Sequence, residues 1–472
     1  MTSFKALAKT GAPFRVLTIA ATLSVGLSGC ALLEKANVFD KSTNKSVASQ
    51  GERIPVLPPQ DVVTPSAALK GQDFSLPPPA VMAEWPVPGG TPEQSVEHVA
   101  AAPNLQVVWR RSLGVQGLKR DHFVTAPPVM AEGKVFAMDG QAHVSAWDAK
   151  SGARIWEVDM RPRGRDDRRD RDAYGGGLAY ENGKVFVTSG YRLIAAVDAK
   201  SGRTLWETRT DQPLHGAPNV SEGRVFTVSL DDELLAFSAD KGAQIWNYQA
   251  IIEPATILAA SSPAISGDTI VTGFASGELI AQRAPNGNDL WTQALSQSNR
   301  NNALSEIRDI AGRPIIYKGD VLAASHAGLF SAVDLRTGSP RWTIPLSSET
   351  TPWAAGDVVY VISTTGQLVC VARESGQVYW VQDLNAAAPL NTTRGRRRKE
   401  PKAPKKSYWS GPVLASGRLI IVSSNGDMQS RDPKTGDLQR TIHLGSPIMQ
   451  TPIAAGDMLY LVNEKAELIA FR

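Results

Sequence analysis

Cysteine is close to absent from this sequence: 472 residues carry two, Cys30 and Cys370. At most one disulfide could form, so a fold of this length must be held by packing. Histidine is scarce as well. The six present, His98, His122, His143, His215, His326 and His443, show no ligand spacing such as His-x-x-x-His, and each reads as a surface or packing residue. An excess of one charge is also missing, since 50 Lys and Arg against 46 Asp and Glu leave a net +4, which gives no overall nucleic-acid footprint. No apolar run reaches the ~20 residues of a membrane-spanning helix. From residue 107 onward no stretch sustains a helical period, and no Ser-His-Asp or paired-carboxylate arrangement follows from position.

What is present begins with an export signal. Lys5, Lys9 and Arg15 precede an apolar run at residues 16–27, which ends in Leu27, Ser28, Gly29 and Cys30. A charged start and an apolar core of that length mark a signal peptide, and the last four residues resemble the bacterial lipobox. In that class of signals the thiol receives a diacylglyceryl group, cleavage leaves the Cys as first residue, and its amine is acylated. Residues 1–29 are thus expected to be a signal peptide and Cys30 the lipidation site. One acyl chain binds a bilayer marginally, at ~0.8 kcal/mol per methylene, and several on one residue anchor stably. Ala31 stands where an Asp commonly retains such proteins at the inner membrane, so by analogy the expected location is the outer membrane, periplasmic face. Cys370 would then be alone, and its apolar setting between Val369 and Val371 reads as an inert core position.

Residues 30–104 change character. Pro55, Pro58, Pro59, Pro65, Pro77, Pro78, Pro79, Pro86, Pro88 and Pro92 punctuate a stretch poor in long apolar runs. Proline fixes φ and removes a donor, which predicts an extended, largely unfolded tether between lipid and folded body.

Residues 105–472 repeat. Ala146, Asp148, Ser151, Gly152 and Trp156 return as Ala196, Asp198, Ser201, Gly202 and Trp206, and again as Ala332, Asp334, Thr337, Gly338 and Trp342. Gly242–Trp246, Gly287–Trp291 and Gly376–Trp380 keep the last two positions, while Gly436 is followed by Arg440 in place of Trp. Upstream of these lies a Gly before a β-rich run, as at Gly133, Gly183, Gly223, Gly356 and Gly417. Short β-branched runs bounded by Gly, Asp, Asn and Ser are strands joined by tight turns. From Trp109 to Trp380 the Trp residues that end the repeats lie 38 to 51 apart, a period that signals four-stranded blades of a β-propeller. Counting units gives eight. The last stops at Phe471 without its Gly and Trp, and the strand at Val107, Val108 and Trp109 has nothing before it. Pairing the two completes one blade, closes the ring and removes the exposed edges. The expectation is all-β: an eight-bladed β-propeller sealed by its N- and C-terminal strands. Trp fits between blades because it buries a large flat surface and has one polar edge to satisfy.

The pattern Ala-x-Asp-x-x-(Ser/Thr)-Gly-x-x-x-Trp resembles the PQQ-type repeat of the quinoprotein superfamily, which includes dehydrogenases that bind pyrroloquinoline quinone and calcium. Lipobox, Pro-rich segment, eight blades and length together resemble the cofactor-free BamB family of outer-membrane assembly factors. That resemblance implies a non-catalytic scaffold, without cofactor or metal, that binds the POTRA domains of BamA and other Bam subunits and aids insertion of unfolded outer-membrane proteins. It places the contact on two mid-chain loops, at Ile257 and Leu258 and at Arg308 and Asp309. Leu258 stands where an Arg is usual, and one of two acidic residues is present. A periplasmic quinone-dependent dehydrogenase remains the alternative, although two cysteines, one lipidated, cannot make the vicinal pair such enzymes often carry. An envelope-binding regulatory propeller is a third. The charge runs at 161–171 and 394–406 read as solvated loops, the second able to touch anionic headgroups; nucleic acid is not expected.

Overall fold

The computed structural model describes residues 63–114, 126–162, 173–253, 261–296, 307–386 and 406–472. These form eight four-stranded antiparallel sheets, each strand paired with its neighbours in chain order. Blades 1 to 7 span 129–159, 176–209, 219–249, 264–294, 315–345, 353–383 and 409–443. Blade 8 takes three strands from 453–471 and its outer strand from Val107–Ser112. Val107 lies opposite Phe471, Trp109 opposite Ala470 and Ser112 opposite Glu467. The ring is closed by the first and last strands, as the sequence predicts.

In each blade the first strand is fully or largely buried and the last is the most exposed, and where the last carries a Trp, as in Arg154–Asp159, the indole turns inward. The first strands therefore line the axis and the last form the outer wall. The repeat explains how blades lock. Asp148 accepts the Ser151 backbone N–H at 2.8 Å and its hydroxyl at 2.7 Å, and these bonds hold its carboxyl below the usual range. The turn ends on Gly152 at φ +66°. Gly152 then meets the Trp109 ring so closely that a Cβ would stand 2.6 Å from it. The same pairing joins Gly202 to Trp156 and Gly242 to Trp206. Each indole also donates Nε1 to a carbonyl of the following blade: Trp109 to Ala149 at 3.2 Å, Trp156 to Ala199 at 3.1 Å, Trp206 to Ala239 at 3.0 Å. The recurrent Gly answers two demands, a positive φ and room for an indole. Cys370 is fully buried in blade 6, and burial pushes its thiol well up.

Of the tether expected over residues 30–104, the structure corrects the described part, from residue 63 on. This segment is packed as a strap across the axis. Trp85 is 1% exposed and exchanges two backbone hydrogen bonds with Met130 of blade 1, at 2.7 and 2.9 Å. Beyond it, Tyr180 of blade 2 donates to the Pro86 carbonyl, while the Pro92 carbonyl accepts from Asn219 of blade 3 and Ile265 of blade 4. Ile316 of blade 5 donates to Glu93, and Trp353 of blade 6 to Glu97 through Nε1 at 2.8 Å. Val99 donates to Leu414 of blade 7 and Ala102 to Asp457 of blade 8. One segment touches all eight blades.

The physical reason is that the innermost strands have an open edge, with backbone groups that need partners once buried. Proline has no donor, but its carbonyl accepts, and Pro86 and Pro92 supply acceptors to inward N–H groups. Gly90, at φ +89°, lets the strap turn beneath Trp85; a Cβ there would stand 2.5 Å from Val96. His98 fixes the far end, since Nε2 accepts the Gly417 N–H at 2.8 Å and Nδ1 donates to the Pro77 carbonyl at 2.7 Å.

Candidate functional site: the rim opposite the strap

Antiparallel blades divide their connections between two rims. The strap engages the rim carrying the turn between first and second strands, at Glu132, Asp357, Gly417 and Asp457. The opposite rim carries the connections between blades, including the described parts of the two loops singled out by sequence, 251–253 and 307–310.

Ile257 and Leu258 lie outside the described residues, as does Cys30. Just before them, Ile251 and Ile252 are 60% and 58% exposed, among the most exposed large apolar side chains described. Sequence reasoning missed this pair because an apolar dipeptide ending a strand reads as core.

Arg308 and Asp309 part company. Arg308 is exposed, on a segment pinned at both sides: Ile310 donates to the Phe274 carbonyl at 3.2 Å, and the Asp309 carbonyl accepts from His326 at 2.8 Å. Gly273 and Gly277 of blade 4 make room for it, since a Cβ on either would stand 2.4 Å from Ile310 or 3.0 Å from the Arg308 carbonyl. Asp309, in contrast, is 3% exposed. Its carboxyl belongs to the base of the rim, so the expectation that both side chains face a partner is corrected to Arg308. The charge of Asp309 is felt at Asp232, in the turn between the second and third strands of blade 3. Asp232 is buried, accepts the Ala275 N–H at 3.2 Å, and has its carboxyl raised to about 7, first by burial and then by the charges of Asp309, Glu253 and Asp231. The run Asp231, Asp232 and Glu233 was the only sequence sign of it.

At the centre of this rim lies an axial funnel lined from every blade, from Pro127 in blade 1 to Thr451 in blade 8, with a cavity of about 190 Å³. Its floor lies against the strap: Ser262, in the lining, is 3.5 Å from Gln94 Nε2, which also donates to the Pro263 carbonyl at 3.2 Å. Among the described residues no three His, Cys, Asp or Glu side chains gather as they would to hold a metal ion.

A family model described as outer membrane protein assembly factor BamB matches residues 140–382. The outer membrane protein assembly factor BamB of Shewanella oneidensis is 24% identical over 381 residues, 80% of this chain and 91% of that protein. Among solved structures, BamB from Moraxella catarrhalis superposes with a TM-score of 0.63 at 17% identity, over 78% of this chain and 99% of that one. A europium-containing methanol dehydrogenase superposes with a TM-score of 0.62 at 15% identity, over 82% and 89%. At such identities the superpositions carry the fold alone, and both share it.

Proposed function

The chain belongs to the family of the outer membrane protein assembly factor BamB, and on that premise we propose that it is a non-catalytic docking platform of the machinery that assembles outer-membrane β-barrels. Lipid on Cys30 holds it at the periplasmic face of the outer membrane. Its partner is the barrel-inserting subunit BamA, contacted through POTRA domains, and its clients are unfolded outer-membrane proteins.

The observation that carries this reading is the inequality of the two rims. One is occupied along its axis by the chain's own strap. The other presents Arg308, exposed on a pinned segment, and the bare pair Ile251 and Ile252. An apolar pair with a fixed cation nearby is the composition of a protein contact: the aliphatic groups supply buried area and the guanidinium sets register on a carboxylate. We assign Ile257 and Leu258 to the same contact. Asp309 supports the rim from beneath.

The experiment is affinity capture from detergent-solubilised envelopes with the full chain and two variants. Arg308→Glu should lose BamA, whereas Glu207→Lys, on the outer wall of blade 2, should retain it. Equal recovery with all three would remove Arg308 from the contact, and capture of a different envelope protein would favour a regulatory propeller. The described residues do not fit the quinone and calcium alternative. They gather no group of three carboxylate, imidazole or thiol side chains, and their one thiol, Cys370, is sealed inside a blade.

A further inference from the structure

The funnel holds a charge that the docking reading does not use. Arg313 reaches the axis from the loop before the first strand of blade 5, and it is the one Lys or Arg among the residues lining the cavity. Its base is rigid. The Arg313 N–H donates to Thr351 Oγ1 at 3.2 Å, and Gly312 packs so tightly that a Cβ there would stand 2.4 Å from the Thr350 carbonyl. Its head is unmatched. Nε is out of solvent with no hydrogen-bond acceptor, and among the described residues Arg313 forms no ion pair. Burial lowers its guanidinium to about 10, so it stays charged at neutral pH. Glu349, the one carboxylate in the lining, is held by His326 Nδ1 at 2.8 Å. A buried donor without an acceptor is costly, and a planar guanidinium fork matches one partner best, a carboxylate bound through two parallel N–H groups.

We propose that this funnel is a binding site for a single carboxylate, seated on Arg313 and entering end-on. The charge count selects a monoanion, because the lining holds one guanidinium and one carboxylate, Glu349, a balance that disfavours a phosphate dianion. The neutral hydroxyl residues Thr350, Thr351 and Ser410 also line the cavity. The cavity is small, about 190 Å³, and the strap makes it blind. It therefore takes the terminus of an extended polypeptide or a small organic acid, and excludes a folded surface. The site is independent of the Arg308 contact.

The test is calorimetry on the full chain with three probes: N-acetyl-trialanine with a free terminal carboxylate, its terminal amide, and propionate. The free peptide should bind, with the amide weaker by roughly tenfold to a hundredfold, the worth of a charge-assisted pair. Arg313→Gln should lose as much. Peptide binding well above propionate assigns the site to polypeptide termini; equal binding assigns it to small acids. Arg313→Met provides the second readout: removing an unpaired, half-buried charge should leave the melting temperature unchanged or higher, whereas loss of a structural arginine would lower it. No binding of the free peptide by about 10 mM, equal binding of the amide, undiminished binding by Arg313→Gln, or a sharp loss of melting temperature would each overturn the assignment.

Discussion

Tyr360 donates its hydroxyl to the Pro433 carbonyl at 2.9 Å and so occupies the acceptor that the pattern of the preceding blades reserves for Trp380. Trp380 Nε1 is buried without a partner. In blade 8 the counterpart tyrosine, Tyr460, shares the Ala149 carbonyl with Trp109, at 3.1 and 3.2 Å. The two junctions solve one geometry differently. Tyr360→Phe should free the Pro433 carbonyl for Trp380 and cost less than about 0.5 kcal/mol, against the ~1 kcal/mol of an ordinary lost hydrogen bond. Urea denaturation reads this directly, and a loss above ~1.5 kcal/mol would mean that Trp380 cannot take over.

The blade lock separates two roles of glycine. Gly202→Ala must accommodate a Cβ 2.7 Å from the Trp156 ring at φ +74°, whereas Gly183→Ala meets open space at φ +76°. The first should cost roughly 2–5 kcal/mol, the sum of overpacking and left-handed strain, and the second only the strain, ~1–2 kcal/mol. Equal midpoint shifts for the two variants would show that the indole contact contributes nothing.

The strap predicts that Trp85 is a core residue of the propeller. It is stacked on Trp353 with ring centroids 6.4 Å apart and planes 16° from parallel. Trp85→Ala should cost about 3–5 kcal/mol, as for a large buried aromatic, and should expose residues 63–106 to limited proteolysis. A variant as stable and as resistant as the parent would restore the tether.

Asp232 predicts a pH dependence. Its folded carboxyl titrates near about 7, above the ordinary 3.8, so the folded state holds the proton longer than the unfolded one. Stability from this group is full below the unfolded value and is lost as pH rises through the folded one, in total on the order of 4 kcal/mol. Asp232→Asn keeps an acceptor for the Ala275 N–H without the charge. It should melt with the parent near pH 4 and clearly above it at pH 8, a difference that scanning calorimetry resolves. A parent melting temperature that rises together with the variant's between those values would contradict the assignment.

The ring was legible because its signal is written many times over. Gly152, Gly202 and Gly242 each precede a Trp by four residues, and a repeat makes every copy corroborate the others. Ring closure was legible from two fragments, at Val107 and Phe471, that each lacked what the other supplied. The strap was not legible. Proline density reads as disorder when the chain is considered alone, and the acceptors at Pro86 and Pro92 acquire meaning only beside the open strand edges of the axis. The site was legible by loop but not by residue. Arg308 and Asp309 are adjacent, and nothing in their order tells that one faces solvent while the other sits beneath the rim. Arg313 and Asp232 owe their character to neighbours distant in sequence.

The most direct test of the account is a titration of the mature chain with the purified POTRA domains of BamA, followed by calorimetry. The account predicts a saturable one-to-one complex, weakened at least about tenfold, or about 1.4 kcal/mol, by Arg308→Glu and unchanged by Glu207→Lys. No complex, or a chain that takes up quinone and calcium and reduces a dye instead, would contradict it.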